Sequence, residues 1–175
     1  MSQPDPSRPG APDTDRVAVP PDARDLPGPF RHRRTIEVRF ADTDAMGHVN
    51  NATYLTYFEI ARASFYRDAT GSMFGIGPES GEASLILAEA RVTYRSPAFF
   101  DELLVVESRV ARIGRSSFTM EHRITAGESR VAAARLIAVA SFVLVSYAYD
   151  RDAVIPVPDA LVDRLEAWEG RSLRA

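Results

Sequence analysis

Residues 42 to 51 read Asp-Thr-Asp-Ala-Met-Gly-His-Val-Asn-Asn and concentrate side chains that can accept, donate or carry a proton. A strand-like run precedes them, and an amphipathic helical pattern over residues 52–69 follows. A helix N-terminus offers unpaired backbone N–H groups and a partial positive charge, and the turn before it can hold a carboxylate. Asn50 and Asn51 are the only asparagines of the chain. We therefore expect chemistry at this turn.

The composition excludes several classes of protein. The absence of cysteine rules out disulfides, thiolate metal ligands and a cysteine nucleophile. The net charge of −3 is built from charges of both signs along the chain, so nothing points to nucleic acid. The longest apolar run, residues 131–147, contains Arg135 and is too short to span a membrane. With no signal-peptide pattern at the N-terminus, we expect a cytoplasmic protein that binds neither nucleic acid nor membrane.

The chain divides into a tail and one domain. Residues 1–30 contain eight of the twelve prolines and few aliphatic side chains. Such a segment cannot bury enough apolar surface to fold, which predicts a disordered Pro-rich tail. The remaining length suits a single domain over residues 31–175.

The periodicity of apolar residues predicts an α+β fold. One strand precedes the long helix, which begins at Asn50 or Asn51 as N-cap, and four strands in meander follow it. The helix would pack on an antiparallel five-stranded sheet, with residues 131–147 as its central strand and a short C-terminal helix. One helix covers only part of one sheet, so we expect the remaining surface and any free edge to be closed in at least a homodimer. The predicted strands are 34–40, 84–94, 103–112, 116–125 and 131–147, and the predicted helices are 52–69 and 156–168.

The motif resembles the signature of hotdog-fold acyl-CoA thioesterases of the 4-hydroxybenzoyl-CoA thioesterase type. The resemblance spans about residues 33–160 and includes 90–97 and 113–118. It implies a long central helix wrapped by an antiparallel sheet, and a homodimer with two active sites at its interface. Hotdog dimers stack in several ways, so a homotetramer is compatible as well. The residues that carry the motif are Asp42, Asp44, Gly47, His48, Val49, Asn50, Asn51, Tyr54, Leu55, Phe58, Glu59 and Arg62.

The resemblance assigns three catalytic residues. Asp44 matches the family's catalytic carboxylate, which would act as general base on water or attack the thioester carbonyl itself. Asn51 stands where the family places a backbone N–H aimed at the thioester oxygen. His48 matches the histidine of the similar string in plant acyl-ACP thioesterases, although Met46 replaces an asparagine of that string. Asp42 is interpreted as structural.

Each assignment has a structural alternative. Asp44 could instead form an Asx-turn that tightens the bend, and His48 could orient substrate or water, or only bond a backbone carbonyl. Substrate contacts are expected from side chains that can bond the acyl group or the phosphates of coenzyme A, although Asn50 also suits a helix cap and Tyr54 suits packing. These predicted substrate-binding residues are Asn50, Tyr54, Arg95, Arg112, Arg115, Ser116 and Ser117.

The predicted reaction is hydrolysis of an acyl-CoA to the free acid and coenzyme A. We expect no metal, because His32, His48 and His122 show no ligand spacing, and no cofactor, since coenzyme A is part of the substrate. Two alternatives remain: a hotdog enzyme of the enoyl-CoA hydratase type and a non-catalytic acyl-CoA binding protein, because a fold does not determine function.

Overall fold

The computed structural model describes residues 26–71, 84–129 and 132–174. Residues 1–25, most of the predicted tail, lie outside this range. Residues 26–30, the last of the predicted tail, are described, and Pro27 and Phe30 contact Arg109. The Arg109 guanidinium lies 4.5 Å from the centre of the Phe30 ring and donates to the Pro27 carbonyl at 2.8 Å.

The described elements agree with the predicted ones to within a few residues. Their order is β1, α1, β2, β3, β4, β5, β6 and α2, with a single 3-10 turn at Phe40–Asp42 between β1 and α1. The two-residue strand β6 is the one described strand that the sequence did not predict. The bounds are β1 His32–Glu37, α1 Thr53–Thr70, β2 Ser84–Tyr94, β3 Leu103–Ile113, β4 Ser117–Ala126, β5 Arg135–Ala148, β6 Ala153–Val154 and α2 Asp159–Glu169.

The sheet is antiparallel, with strand order β1-β3-β4-β5-β2 and β6 attached to the end of β5. Strands β3, β4 and β5 form the predicted meander. The prediction is wrong for β2, which pairs with β5 at the far edge, and the middle strand is β4 instead of β5. Strands that are consecutive in sequence often pair in a sheet. Here α1 contacts β1 and β3 at one side of the sheet, and β2 forms the opposite edge.

Helix α1 packs its apolar stripe on the inner face of the sheet. Phe58, Ala61 and Phe65 are fully buried, as are Val106 and Ile124 on the facing strands. Gly71 ends the helix in the left-handed conformation, which glycine adopts without a steric penalty. The core therefore lies between α1 and the middle of the sheet.

A buried polar row crosses β1, β3 and β4 beneath the helix. Cross-strand pairing places His32 opposite Ser108 and Ser108 opposite His122. The His122 Nδ1 and the Ser108 hydroxyl are 2.8 Å apart, whereas Nε2 has no partner among the described residues. Burial lowers the pKa of His122 to about 3 and that of His32 to about 4, so both side chains are neutral near pH 7.

Strand β2 contains a β-bulge. The register shifts between Leu87 and Glu89, so that Ile86 pairs with Val145 whereas Ala90 pairs with Phe142. Val145 and Phe142 are three residues apart and lie on opposite faces of β5. Ile86 and Ala90 therefore lie on opposite faces of the sheet, although a regular strand would place residues four apart on the same face.

Candidate active site

Asp42 anchors the segment between β1 and α1 from inside the protein. Its carboxylate accepts a hydrogen bond from the Arg39 guanidinium at 2.7 Å and one from the Tyr57 hydroxyl at 2.9 Å. The bonds from Arg39 lower the pKa of the Asp42 carboxyl. Its backbone carbonyl accepts the Asn50 N–H at 2.9 Å. These contacts agree with the structural role inferred for Asp42.

Asp44 begins a tight turn that ends at Gly47. The Gly47 N–H donates to the Asp44 carbonyl and the Asp44 N–H to the His48 carbonyl, each at 3.0 Å, and Gly47 has a positive φ of 80°. One carboxylate oxygen, Oδ1, accepts the Met46 N–H at 2.8 Å, so the Asx-turn considered as the structural alternative is present. The other oxygen, Oδ2, has no hydrogen bond within residues 26–71, 84–129 and 132–174. A structural role therefore leaves half of the carboxylate available for chemistry.

His48 lies beside Asp44 at the same turn. Its Nδ1 donates to the Val49 carbonyl at 3.3 Å and is 3.8 Å from Asp44 Oδ1. The structural alternative considered for His48, a bond to a backbone carbonyl, is therefore present. The imidazole is 39 % exposed, so this bond does not remove His48 from the site.

The two asparagines organise the start of α1. The Asn50 side chain accepts the Ala52 N–H at 2.9 Å, and its carbonyl accepts the Thr53 N–H at 3.0 Å. The N-cap of α1 is Ala52, so the prediction of Asn50 or Asn51 as N-cap is wrong. Asn50 instead stabilises the turn that leads into the helix, because its side chain bonds the Ala52 N–H before the first helical residue. The Asn51 side chain makes no capping bond, although its carbonyl accepts the Tyr94 hydroxyl at 2.9 Å. Across the part of the chain that the structure describes, the Asn51 N–H has no acceptor.

Two tyrosines form a wall beside this helix start. The Tyr54 and Tyr94 rings meet edge to face with centres 5.3 Å apart, and the Tyr54 hydroxyl accepts the Ala98 N–H at 3.3 Å. Burial raises the pKa of both phenols. The sequence reasoning missed Tyr94 as a site residue. Its contact with Asn51 spans 43 residues, and its position within residues 90–97, which resemble the family, was the one available signal.

The turn at Asp44, the helix start and the two tyrosines border a cavity of about 410 Å³. This volume is within the size range of small-molecule sites. Five predicted site residues border the cavity, whereas Asn50 does not line it. Val49, Tyr94, Ser96 and Pro97 complete the lining without having been predicted. The predicted residues at the cavity are Asp44, His48, Asn51, Tyr54 and Arg95.

The other four predicted substrate contacts cluster at the β3–β4 turn, away from this cavity. The carbonyls of Ser116 and Ser117 accept backbone N–H groups, and Arg112 lies at the end of β3. Arg115 borders a second cavity of about 540 Å³ together with Arg174 and residues 156–159. Within one chain, the structure does not bring Arg112, Arg115, Ser116 or Ser117 to the Asp44 cavity.

Neither a metal centre nor a membrane helix is found in the described part of the chain. No group of three or more His, Asp or Glu side chains converges there. Neither α1 nor α2 is long and apolar enough to cross a bilayer.

Comparison with known proteins places the chain in a family. Residues 38–165 match the sequence model of the thioesterase-like superfamily. The chain belongs to this superfamily. The match begins just before the Asp42–Asn51 segment and ends within α2, so it contains the whole described cavity.

Solved thioesterase structures share the fold. A thioesterase of Thermus thermophilus, crystallised with coenzyme A and Zn, is 33% identical with a TM-score of 0.68, over 82% of this chain and 98% of that one. A thioesterase superfamily member of Jannaschia is 28% identical with a TM-score of 0.72, over 88% of this chain and 92% of that one. The acyl-CoA thioester hydrolase YbgC of Escherichia coli O6:H1 is 27% identical over 97 residues, which cover 55% of this chain and 71% of that protein. The predicted family and the predicted hotdog fold are confirmed.

Proposed function

We propose that this protein hydrolyses the thioester of an acyl-CoA to the free acid and coenzyme A. The observation that carries the proposal is the pairing of Asp44 with the helix start. Asp44 Oδ2 and the Asn51 N–H lack partners among the described residues, and both residues border one cavity. A base or nucleophile next to an N–H donor is what acyl transfer requires.

The hydrogen bonds around Asn51 support its role as the oxyanion donor. Asn50 uses its N–H, its carbonyl and its side-chain oxygen, each with a partner within eight residues along the chain. Asn51 uses its carbonyl with Tyr94. Of the backbone N–H and carbonyl groups of Asn50 and Asn51, the Asn51 N–H is the one without a partner among the described residues. It lies at the positive end of the α1 dipole. Asn51 is exposed at the cavity, so its N–H is open to a ligand, and the thioester oxygen would accept a hydrogen bond from it.

In the proposed reaction, Asp44 takes a proton from a water molecule that attacks the thioester carbonyl. The carbonyl oxygen becomes an oxyanion, which the Asn51 N–H and the α1 dipole stabilise. The tetrahedral intermediate then collapses, the C–S bond breaks and the thiolate of coenzyme A takes up the proton. The same carboxylate can instead attack the carbonyl and expel the thiolate of coenzyme A, which forms a mixed anhydride. Water then hydrolyses the anhydride to the free acid and regenerates the Asp44 carboxylate, and the thiolate takes up a released proton.

A homodimer is the second part of the proposal. Strand β2 is an 11-residue edge strand whose side chains are mostly exposed, and a long free edge invites pairing with another strand. Leu87 on β2 is 40 % exposed and Leu55 on α1 is 44 % exposed, which adds apolar surface for a partner to cover. The β3–β4 turn does not reach the Asp44 cavity of its own chain, so we propose that the turn of a second subunit binds the phosphates of coenzyme A there.

Relatives support the substrate class. YbgC of Escherichia coli O6:H1 carries the name acyl-CoA thioester hydrolase, and the Thermus thermophilus thioesterase was crystallised with coenzyme A.

The test is release of free thiol from a panel of aliphatic and aromatic acyl-CoAs, with the product acids identified by mass spectrometry. Hydrolysis yields equal amounts of thiol and acid. Addition of water to an enoyl-CoA without thiol release would favour a hydratase instead. Tight binding without any turnover would favour a non-catalytic binding protein, and either result would refute the thioesterase.

A further inference from the structure

Tyr94 connects the edge strand β2 to the helix start that borders the cavity. It is the last residue of β2, and its half-exposed ring lines the cavity. Its hydroxyl donates to the Asn51 carbonyl at 2.9 Å. We propose that Tyr94 is a positioning residue for the reaction, holding the helix start so that the Asn51 N–H points at the thioester oxygen. This inference rests on the proposed thioesterase function.

The Asn51–Ala52 peptide unit is held at both of its polar ends. Its carbonyl accepts the Tyr94 hydroxyl, and its N–H donates to the Asn50 side chain at 2.9 Å. Because a peptide unit is planar, fixing both ends prevents it from rotating. The Asn51 N–H belongs to the preceding peptide unit, which is joined to the Asn51–Ala52 unit at the Asn51 Cα. Holding the Asn51–Ala52 unit in place therefore restricts the direction of the Asn51 N–H.

The bond from Tyr94 is a long-range bond at the helix start, as is the bond from the Ala98 N–H to the Tyr54 hydroxyl, whereas the bonds of the Asn50 carbonyl and side chain are local. Asn50 bonds Ala52 and Thr53, two and three residues further along the chain. Such local bonds shape the turn but do not fix its position relative to the sheet. The Tyr94 bond joins residues 43 positions apart and holds the Asn51 carbonyl against the end of β2, while the bond between Ala98 and Tyr54 holds the first turn of α1.

The chemistry of Tyr94 suits a donor. Burial raises the pKa of its phenol, so the hydroxyl keeps its proton near neutral pH and can donate it to a carbonyl oxygen. The ring also contacts Tyr54 edge to face at 5.3 Å. Replacement by phenylalanine keeps this ring contact and removes only the hydrogen bond to Asn51.

The test compares Tyr94→Phe with Tyr147→Phe in steady-state hydrolysis of the best acyl-CoA of the panel. Tyr147 is a matched control, because its hydroxyl also donates a hydrogen bond, to Asp152, and it pairs with Ser84 at the other end of β2. We expect Tyr94→Phe to lower kcat by about 10- to 100-fold, the usual range for a small misplacement of catalytic groups. KM, the melting temperature and the shape of the pH–rate profile should stay as in the wild type, and Tyr147→Phe should leave kcat unchanged.

Three results would overturn the inference while leaving hydrolysis by the wild type intact. They are an unchanged kcat in Tyr94→Phe, a rise in KM or fall in melting temperature without a fall in kcat, and the loss of one limb of the pH–rate profile. The last result would make Tyr94 an acid or base. Absence of thiol release by the wild type would refute the proposed function and this inference together.

Discussion

Asp42 and Asp44 are two residues apart, yet their carboxylates have opposite surroundings. The Asp42 side chain is 4 % exposed and bonded to Arg39 and Tyr57, whereas the Asp44 side chain is 26 % exposed and borders the cavity. The Asp42 carboxylate is bonded within the protein, whereas one oxygen of the Asp44 carboxylate is available to a substrate. The two aspartates should therefore respond differently to the same substitution.

Asp42→Asn should destabilise the protein. The change keeps the shape but removes the charge that Arg39 and Tyr57 bind, and leaving the buried Tyr57 hydroxyl imperfectly paired costs about 1–3 kcal/mol. Arg39 is largely exposed, so most of this loss comes from the buried side. Urea unfolding at neutral pH measures the effect. Asp44→Asn is the control, because an amide oxygen can still accept the Met46 N–H. Equal stability of wild type and Asp42→Asn would contradict the structural role.

Gly47→Ala and Gly71→Ala should lower stability equally but affect activity differently. Both glycines have positive φ, 80° and 76°, and both have open space where a Cβ would be. Only backbone strain of about 1–2 kcal/mol is therefore expected at each site. Gly47 closes the turn that holds Asp44, so its replacement should also lower kcat, whereas Gly71 ends α1 far along the chain. Equal activities of the two variants would show that the turn does not position Asp44.

The sequence predicted the local structure well because periodicity and helix-ending residues are local. The placement of β2 was not predicted, since strand order depends on contacts between distant segments, and neither was the bulge at Leu87–Glu89. The motif led directly to Asp44, His48 and Asn51. Tyr94 was not predicted as a site residue because its contact with Asn51 spans 43 residues and leaves no local sequence pattern.

The protein should lose stability in mild acid because His32 and His122 are buried in their neutral forms. Their pKa values, about 4 and about 3, lie below the ordinary value of 6.5. Between these values the unfolded chain binds more protons than the folded one, so the free energy of unfolding falls as the pH decreases from about 6.5. Each histidine contributes a slope of up to about 1.4 kcal/mol per pH unit. Urea unfolding between about pH 5 and pH 7 measures this slope. A flat profile in the wild type would contradict it, and His122→Asn should reduce it.

Leu87→Asp should weaken the proposed dimer. Leu87 is an exposed apolar residue on the free edge strand β2, and a buried charge there would oppose pairing with a second copy. Val154→Asp is the control, because Val154 is also exposed and apolar but lies on β6. Sedimentation equilibrium should give a dimer for the wild type and Val154→Asp, and a shift towards monomer with reduced activity for Leu87→Asp. A monomeric, active wild type would refute the shared site.

The most direct test of the account is the rate of thiol release from acyl-CoA by the wild type and by Asp44→Asn. The amide keeps the bond to the Met46 N–H and so preserves the turn, but it can neither take a proton from water nor attack a carbonyl. We predict a fall in kcat of about 10²–10⁴-fold, with the melting temperature unchanged. Equal rates of thiol release in the two proteins would contradict the central claim that the Asp44 carboxylate performs the chemistry.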